Sequence, residues 1–298
     1  MSGIGMEYSS PWANRAKWCY LLGVVFCLML PVFYTIYVSF NEFGFGSPKY
    51  KFTLDYYVNL FQNEEILNAL QWTLILCLLT VVATVPMSLL AAKFYKSARN
   101  KVPFLILMLM PLFIPADIMA ASLLVFFKNL NHYLNAWLGL DWFNLSWYTV
   151  WIGQILWTMP YAFVIILITM SRYRVQQTEA ARSCGATAWQ AFWQVEFPQI
   201  RPGVFSSCAF VFILAFNEYT RTNLLNGGFA TFTTYVVNFM LSSGMEPEVY
   251  AMSAMISVTS MVVILSLIVY MLTRKELRES EERGAGTPPR SATMAGTG

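Results

Sequence analysis

The chain has 298 residues, of which 19 are basic and 16 acidic, so that only 12% carry a charge while 57% are hydrophobic. In soluble domains about a quarter of the residues are charged, and so few charges cannot cover this much apolar side chain in water. The composition therefore indicates a protein of the lipid bilayer, and it excludes a disordered or collagen-like chain.

Long runs with few or no charges predict six transmembrane helices, because about 20 apolar residues are needed to cross the hydrocarbon core. The predicted spans are residues 18–40, 66–92, 102–127, 145–170, 202–225 and 249–273. The third span carries Asp117, and the fifth reaches its full length only if Glu218 and Arg221 lie at membrane depth. The predicted fold class is therefore an all-α integral membrane protein.

Two apolar segments need a separate interpretation. Residues 224–241 are uncharged but rich in Gly and Thr, so we expect a re-entrant or outer-face segment, with a seventh span as the alternative. The first apolar run is too long for the hydrophobic region of a secretory signal, and no small-residue cleavage site follows it. It is therefore expected to be a helix of the mature protein.

The basic residues lie mostly on one side of these spans. Only four of the 19, Lys49, Lys51, Lys128 and Arg221, fall on the other side. By the positive-inside rule both termini are then cytoplasmic, which requires an even number of spans. The predicted organisation is a cytoplasmic segment 1–17, a transmembrane domain 18–273 and a cytoplasmic tail 274–298. The tail is rich in Gly, Pro, Ser and Thr from residue 284 onward and is expected to be disordered there.

The sequence has no constellation for catalysis or for a cofactor. Its five cysteines show no CxxC pairing, and the single His132 has no Cys or acidic cluster beside it, so neither a disulfide framework nor a metal site is predicted. No serine has a histidine partner for nucleophilic catalysis. The phosphate-binding pattern Gly-x-x-x-x-Gly-Lys-Ser/Thr is absent, so this chain is expected to bind neither ATP nor Mg²⁺. The modest net charge of +3 does not favour nucleic-acid binding.

Aromatic residues cluster near the outer end of the fourth predicted span. They are Trp137, Trp142, Trp147, Tyr148 and Trp151. We interpret them as a belt at the membrane–water interface, where amphipathic rings are enriched. A ligand cage is the alternative.

The longest predicted cytoplasmic loop, residues 171–201, has a patterned sequence. Residues 179–181 read Glu-Ala-Ala, Gly185 follows, and residues 195–198 read Val-Glu-Phe-Pro after an Ala-, Trp- and Gln-rich stretch. This predicts a short amphipathic helix ending near the glycine, a second helix, and a turn at the proline back into the membrane. An amphipathic surface platform without a partner is the alternative.

The same loop resembles the signature of permease subunits of binding-protein-dependent ABC importers: Glu-Ala-Ala, three residues, Gly, nine residues, Ile-x-Leu-Pro. The residues that match it are Glu179, Ala180, Ala181, Gly185 and Pro198, with Val195 and Phe197 replacing Ile and Leu. The resemblance implies a type I importer permease of the bacterial inner membrane whose short helix docks on a separate ATPase chain. The two alanines would permit close approach, and the glycine would permit a turn that a side chain would obstruct.

The resemblance also implies the other partners. They are a second permease subunit and a periplasmic solute-binding protein, which the outer loops 41–65 and 128–144 would help to receive. This chain would then be a transport subunit and not an enzyme, since ATP hydrolysis would take place on the ATPase. The alternative from another class is an ion-coupled secondary transporter or channel, in which Asp117 and Glu218 would bind the coupling ion.

Further stretches resemble the spermidine/putrescine branch of that family. They are residues 115–120 with 122–124, residues 159–161 with 171–172, and residues 243–249. This resemblance implies a small cationic solute. Arg221 and the threonine-rich residues 231–234 are not expected in a simple polyamine permease, so an opine or another amino-acid-like amine is the alternative solute.

Three charged residues expected at membrane depth are the candidates for the solute path, because each costs about 2.5–3.5 kcal/mol to insert. Asp117 follows two prolines that free backbone carbonyls. It either attracts a cationic amine or makes a structural hydrogen bond to a neighbouring helix. Glu218 and Arg221, three residues apart, either pair with each other or act on the solute. In the second case Asn217, Glu218 and Tyr219 would bind an ammonium group, and Arg221 a carboxylate.

Overall fold

The chain is helical almost throughout the part that the structure, a computed structural model, describes, namely residues 11–44, 46–139 and 144–285. The helices are α1 (Pro11–Ser39), α2 (Asp55–Gln62), α3 (Glu64–Ser97), α4 (Lys101–Leu109), α5 (Ala116–Leu138), α6 (Trp147–Ser171), α7 (Val175–Ser183), α8 (Ala188–Ala191), α9 (Phe197–Phe216), α10 (Thr220–Leu225), α11 (Phe232–Ser243) and α12 (Pro247–Ala285). A 3₁₀ turn, Met110–Phe113, follows α4, and a π-helical turn, Phe192–Glu196, joins α8 to α9. Disorder was predicted for residues 284–298, of which 284 and 285 belong to α12 and the rest lie outside the described residues. Trp142 also lies outside the described residues.

Five helical segments of the described chain are long and apolar enough to cross a membrane. They are Asn14–Ser39, Glu64–Ser97, Trp147–Ser171, Ala188–Phe216 and Pro247–Ser266. A sixth crossing is formed if the bent pair Lys101–Phe113 and Ala116–Leu138 counts as one span. The predicted all-α membrane fold is confirmed.

The third predicted span, 102–127, is not one straight helix, because the helices on either side of residues 114–115 differ in direction by 100°. Pro111 stands at the start of the 3₁₀ turn, and Pro115 precedes α5 with extended backbone angles. A residue before proline avoids the helical region, and Ile114 accordingly has φ −92° and ψ 123°. Asp117 therefore lies in the first turn of a new helix and not in the middle of a long one.

The fifth predicted span, 202–225, differs from the structure at both ends. Its helix ends at Phe216, and its length comes instead from the N-terminal side, where α8, the π-helical turn and α9 run continuously. The turn predicted at Pro198 is absent, because the helix continues through this proline, directly after the π-helical turn. Residues 217–219 break the helix before α10 begins.

Residues 224–241 do not form a seventh span. They contain the end of α10, a connection, and most of α11, which has 12 residues. A helix of that length is about 18 Å long, whereas the hydrocarbon core is about 30 Å thick. The segment is therefore too short to cross the membrane.

The chain divides into two compact units. One comprises residues 1–71 and 231–258, and its described core joins α2, α11 and the neighbouring ends of α3 and α12. The buried side chains of this core are Leu60, Ile66, Phe232, Val236, Val249, Ala251 and Met252. In the same unit, α1 is almost wholly exposed along its apolar length.

The other unit, residues 72–230 and 259–298, contains a row of polar contacts between α3 and α6. The Thr80 hydroxyl donates to Oε1 of Gln154 at 2.9 Å, and the hydroxyls of Thr84 and Thr158 lie 3.2 Å apart. One turn further, the Ser88 hydroxyl donates to the backbone oxygen of Met159 at 3.2 Å. All these hydroxyls are buried. Because an unsatisfied polar group in hydrocarbon costs several kcal/mol, this row fixes the pairing of the two helices.

Candidate functional site: the loop around Gly185 and the broken helices

The short helix α7 ends in a closed C-terminal cap. The Ala186 N–H donates to the Ala181 oxygen at 3.1 Å, and the Gly185 N–H donates to the Arg182 oxygen at 3.0 Å. These two bonds define a Schellman motif, which places a residue with positive φ just after the helix. Gly185 has φ +91°, while a Cβ atom built on it would meet nothing within 4 Å. The glycine is therefore required by backbone conformation and not, as the sequence suggested, by space.

The chain continues directly into a second helix start. Thr187 accepts a hydrogen bond from the Gln190 N–H at 3.3 Å, and Oε1 of Gln190 accepts one from the Thr187 N–H at 2.9 Å. This reciprocal pair is a capping box, which satisfies two backbone donors at the start of α8. The predicted helix–glycine–helix pattern is thus present, with both ends of the connection held by local hydrogen bonds.

One face of α7 is anchored and the other is open. Gln199 Nε2 donates to Oε1 of Gln177 at 2.6 Å, and the hydroxyl of buried Tyr173 is hydrogen bonded to that of Thr178. On the open face Glu179 is exposed, and its carboxylate makes no hydrogen bond or ion pair with any described residue. Ala180 is exposed and Ala181 half-buried beside it. Small side chains and a free carboxylate are thus presented outward from a fixed helix.

Asp117 is exposed at the start of α5. Its carboxylate has no hydrogen-bond or ion-pair partner among the described residues, so the structural hydrogen bond proposed as one role for it is not formed there. A negative charge in the first turn of a helix is favoured by the helix dipole. The flanking Ile118 is also exposed. The carboxylate therefore stands alone on an apolar surface.

Glu218 and Arg221 form a buried ion pair, as one of the two sequence interpretations predicted. Nη1 of Arg221 lies 2.6 Å from Oε1 of Glu218, and the two side chains are 1% and 8% exposed, respectively. The same Oε1 accepts the backbone N–H of Arg221 at 3.0 Å. Glu218 lies two residues before α10, so it does not share a helical face with Arg221; its carboxylate instead accepts a backbone N–H of the first turn.

The Arg221 guanidinium is enclosed on its other sides as well. Its central carbon lies 4.2 Å from the ring centroid of Trp157, which is cation–π geometry, and Nε lies 3.5 Å from the sulfur of Met119. Its Nη2 is buried without a hydrogen-bond partner in the structure. Met119 lies two residues after Asp117, and Arg221 lies two residues after the break at 217–219. The first turns of α5 and α10, each directly after a helix break, are therefore in contact.

The other two predicted solute ligands differ in accessibility. Asn217 is exposed, and its amide donates to the Ser260 hydroxyl at 3.1 Å and to the Ile213 oxygen at 3.0 Å. Tyr219 is half-buried. Because Glu218 is buried and bound to Arg221, the three residues do not present a free carboxylate, amide and ring together. The structure brings Glu218 to Arg221 and leaves Asp117 as the accessible carboxylate.

Two further residues of this region, Gln154 and Trp157, were not predicted from the sequence. Gln154 is buried in α6, accepts from Thr80 and lies with Nε2 3.5 Å from the Thr222 hydroxyl. A lone amide in the middle of an uncharged span was the available signal, because such a group in hydrocarbon needs a partner. Trp157, one turn further along α6, supplies the ring under Arg221.

Comparison with known proteins identifies the class to which this fold and loop belong. Residues 84–276 match the family described as the binding-protein-dependent transport system inner membrane component. The chain belongs to that family of bacterial inner-membrane permeases. Its predicted membership and localisation are thereby confirmed, and the alternative of a secondary transporter or channel is not supported.

Similar proteins carry different solutes. The chain is 27% identical over 241 residues to the spermidine/putrescine permease PotC of Escherichia coli (strain K12), covering 80% of this chain and 87% of PotC. It is 26% identical over 273 residues to the sulfate permease CysW of Synechocystis sp., covering 87% and 90%, respectively.

Two solved structures share the fold. A bacterial ABC transporter that imports alginate has a TM-score of 0.63 at 19% identity, covering 88% of this chain and 96% of that chain. An amino acid ABC transporter solved with histidines has a TM-score of 0.53 at 20% identity, covering 73% and 98%, respectively. The fold is therefore that of a type I ABC importer permease.

Proposed function

We propose that this chain is one of two permease subunits of an importer for a small cationic amine, such as spermidine or putrescine. A periplasmic binding protein would deliver the solute, and a separate ATPase chain would bind ATP and Mg²⁺. The proposed solute class rests on the carboxylate of Asp117, which lies beside two helix breaks. This carboxylate is exposed and has no hydrogen-bond or ion-pair partner among the described residues. The 27% identity to PotC supports the same solute class.

The charge of Asp117 favours a cation over other solutes. Inserting a carboxylate at membrane depth costs about 2.5–3.5 kcal/mol, and this cost is offset if the carboxylate faces a hydrated path crossed by positive charge. Breaks in transmembrane helices are typical of solute sites, where the ends of half-helices line a cavity. A neutral or anionic solute would gain nothing from this carboxylate, and an anion would be repelled by it.

The buried state of Arg221 disfavours an amine that also carries a carboxylate. Such a solute would need a cationic partner, and Arg221 was the candidate. Its side chain is only 1% exposed, and Glu218 and Trp157 already occupy it. A solute carboxylate would have to displace a buried ion pair, which is strongly unfavourable. We therefore place the opine alternative second.

The open face of α7 would dock on the ATPase. Glu179 offers a free charge, and Ala180 and Ala181 allow a close approach of the partner surface. The Schellman motif and the capping box hold this face in one conformation, so that little ordering entropy is lost on docking. Movement of the ATPase would then reach the membrane helices through this loop.

The solute class is tested with the assembled importer in liposomes, by measuring uptake of labelled spermidine, putrescine and sulfate. We expect amine uptake, with Asp117→Asn lowering it about tenfold, which corresponds to one charge-assisted contact of about 1.4 kcal/mol. Glu246→Gln is the matched control, since Glu246 is also an exposed acid, directly before α12. Wild-type amine uptake by Asp117→Asn, or uptake of sulfate alone, would contradict the proposal.

Docking of α7 is tested separately by charge reversal. Glu179→Lys is expected to lower ATP-driven uptake and the amount of ATPase that co-purifies, while Glu246→Lys leaves both unchanged. Full assembly and uptake with Glu179→Lys would show that this face does not dock on the ATPase.

A further inference from the structure

Lys93, near the cytoplasmic end of α3, is held by two side chains of the π-helical turn that connects α8 to α9. Its Nζ lies 3.1 Å from Oε2 of Glu196 and 4.0 Å from the ring centroid of Phe192. The Glu196 side chain is 10% exposed and that of Lys93 37% exposed. Glu196 is thus shielded from water and Lys93 only partly so. A partly buried ion pair is stronger than one on a fully exposed surface.

The π-helical turn is a special feature of the backbone at this point. The Phe197 N–H bonds back to the oxygen of Phe192, one residue further than in an α-helix. Pro198 follows, and in a regular helix its ring would clash with the carbonyl of residue 194, four positions before it. The wider turn relieves that clash, and such turns are frequent at functional sites. Both residues that hold Lys93 belong to this one turn.

The same turn is joined to α7 by a short series of contacts. Gln199, just beyond the turn, bonds to Gln177 of α7 at 2.6 Å. A cavity of about 150 Å³ separates the end of α3 from α7, and it is lined by Lys93, Lys96 and Thr178 among others. Across this gap, α7 and α3 are connected through the π-helical turn and Lys93.

We propose that Lys93 is the positioning residue through which movement of α7 is transmitted to α3, with Glu196 and Phe192 as its two holding side chains. This inference rests on the proposed docking of α7 on an ATPase. Without Lys93, α3 would keep its apolar packing and the contact of Lys96 with the Tyr173 ring, but it would lose its ion pair to the π-helical turn and would follow movement of the loop less closely. The expected consequence is ATP hydrolysis that no longer drives an equal amount of transport.

The first test measures coupling in the complete importer, reconstituted in liposomes with its ATPase, second permease and binding protein. Spermidine uptake and ATP hydrolysis are measured in the same vesicles. Lys93→Gln is expected to lower solute imported per ATP about tenfold, within the usual range of coupling between sites. Lys93→Arg, which keeps both contacts, is expected to retain coupling. Lys96→Gln is the matched control, because Lys96 lines the same cavity and lies 5.4 Å from the ring centroid of Tyr173, but has no ion-pair partner among the described residues.

A double mutant separates transmission from general stability. If Glu196→Gln and Lys93→Gln act through one contact, the double variant loses no more coupling than Lys93→Gln alone. An unchanged ratio of uptake to hydrolysis in Lys93→Gln would overturn the proposal. Should Lys93→Gln fail to assemble, Phe192→Leu keeps the ion pair and removes the ring, and a wild-type ratio there would overturn it equally.

The second test does not depend on the solute. Spin labels at the exposed positions Ser97 on α3 and Ser183 on α7 report the distance between these helices with and without ATP, after replacement of the native cysteines. The wild-type complex is expected to keep one narrow distribution in both states, and Lys93→Gln to broaden it when ATP binds. If Lys93→Gln broadens the distribution but the importer takes up no spermidine, the proposed solute class is refuted and the role of Lys93 is not. Identical distributions in both proteins would refute the role of Lys93.

Discussion

Gly203 of α9 lies directly against Thr169 of α6, so that a Cβ atom built on Gly203 would be 2.2 Å from Oγ1 of Thr169. The backbones of two predicted membrane helices approach closely here, as small residues allow in lipid. We predict that Gly203→Ala destabilises the protein by about 1–3 kcal/mol, the usual cost of overpacking. The melting temperature in detergent, followed by tryptophan fluorescence, measures the effect.

Gly23 provides the control for this prediction. It is also a helical glycine, but a Cβ atom at that position would meet nothing within 4 Å. Gly23→Ala is therefore expected to leave the melting temperature unchanged or to raise it slightly. Equal melting temperatures for the two variants would show that α6 and α9 are not packed as described.

The buried pair Glu218–Arg221 should be far more sensitive to loss of one partner than to loss of both. Glu218→Gln leaves the guanidinium buried with its charge uncompensated, and we expect a loss of about 3–5 kcal/mol. The double variant Glu218→Gln with Arg221→Met removes the charges together and should recover most of that loss. Denaturant titration in detergent distinguishes these cases. A double variant that is less stable than either single variant would contradict the buried pairing.

Because Gly185 has a positive φ, substitutions at this position are expected to differ in how much they destabilise the end of α7. Gly185→Ala should weaken the cap of α7 by about 1–2 kcal/mol, because a residue with a Cβ is strained at positive φ. Gly185→Asn should cost less, since Asn adopts that conformation more readily. Hydrogen exchange of the α7 amides gives the measurement, with Cys184→Ala as the neighbouring control. Equal exchange in the Ala and Asn variants would mean that positive φ is not what position 185 requires.

The row of hydroxyls on α3 predicts a small but specific effect. Thr80→Ala removes the bond to Gln154, and interhelical hydrogen bonds in membrane proteins average about 0.6 kcal/mol. Thr35→Ala is the control, because that hydroxyl donates only to Pro31 of its own helix. Stability is measured by titration with dodecyl sulfate in mixed micelles. A larger loss for Thr35→Ala than for Thr80→Ala would contradict the assigned pairing.

The positions of the membrane spans could be predicted from the sequence wherever the length of an apolar run decides them. Apolar length identified all the crossing regions, but the fifth span was extended through Glu218 to reach about 20 residues. The structure gains that length before Phe197 instead, where the helix carries polar residues such as Gln190 and Gln194. An apolar-length rule cannot recognise such a helix end. The prolines at 111 and 115 did mark the other break, although not its angle of 100°.

The parts of the candidate site also differ in how well the sequence predicted them. The loop around Gly185 was predictable because its helix cap and capping box depend on residues within six positions of each other. Arg221 was expected to pair with nearby Glu218, but its contact with Met119 joins residues 102 positions apart. Likewise, Lys93 and Glu196 are 103 positions apart. No local pattern specifies such partners, because they are chosen by how the helices pack.

The contact between Thr80 and Gln154 also has a consequence for the order of events during biosynthesis. These residues are separated by 74 positions, and ribosomes add about 5–20 residues per second, so Gln154 is synthesised about 4–15 s after Thr80. During that interval the nascent α3 has hydroxyls whose eventual partners do not yet exist. Each can meanwhile bond to a carbonyl of its own helix. The final pairing of α3 must therefore wait until the translating ribosome has delivered α6 to the membrane.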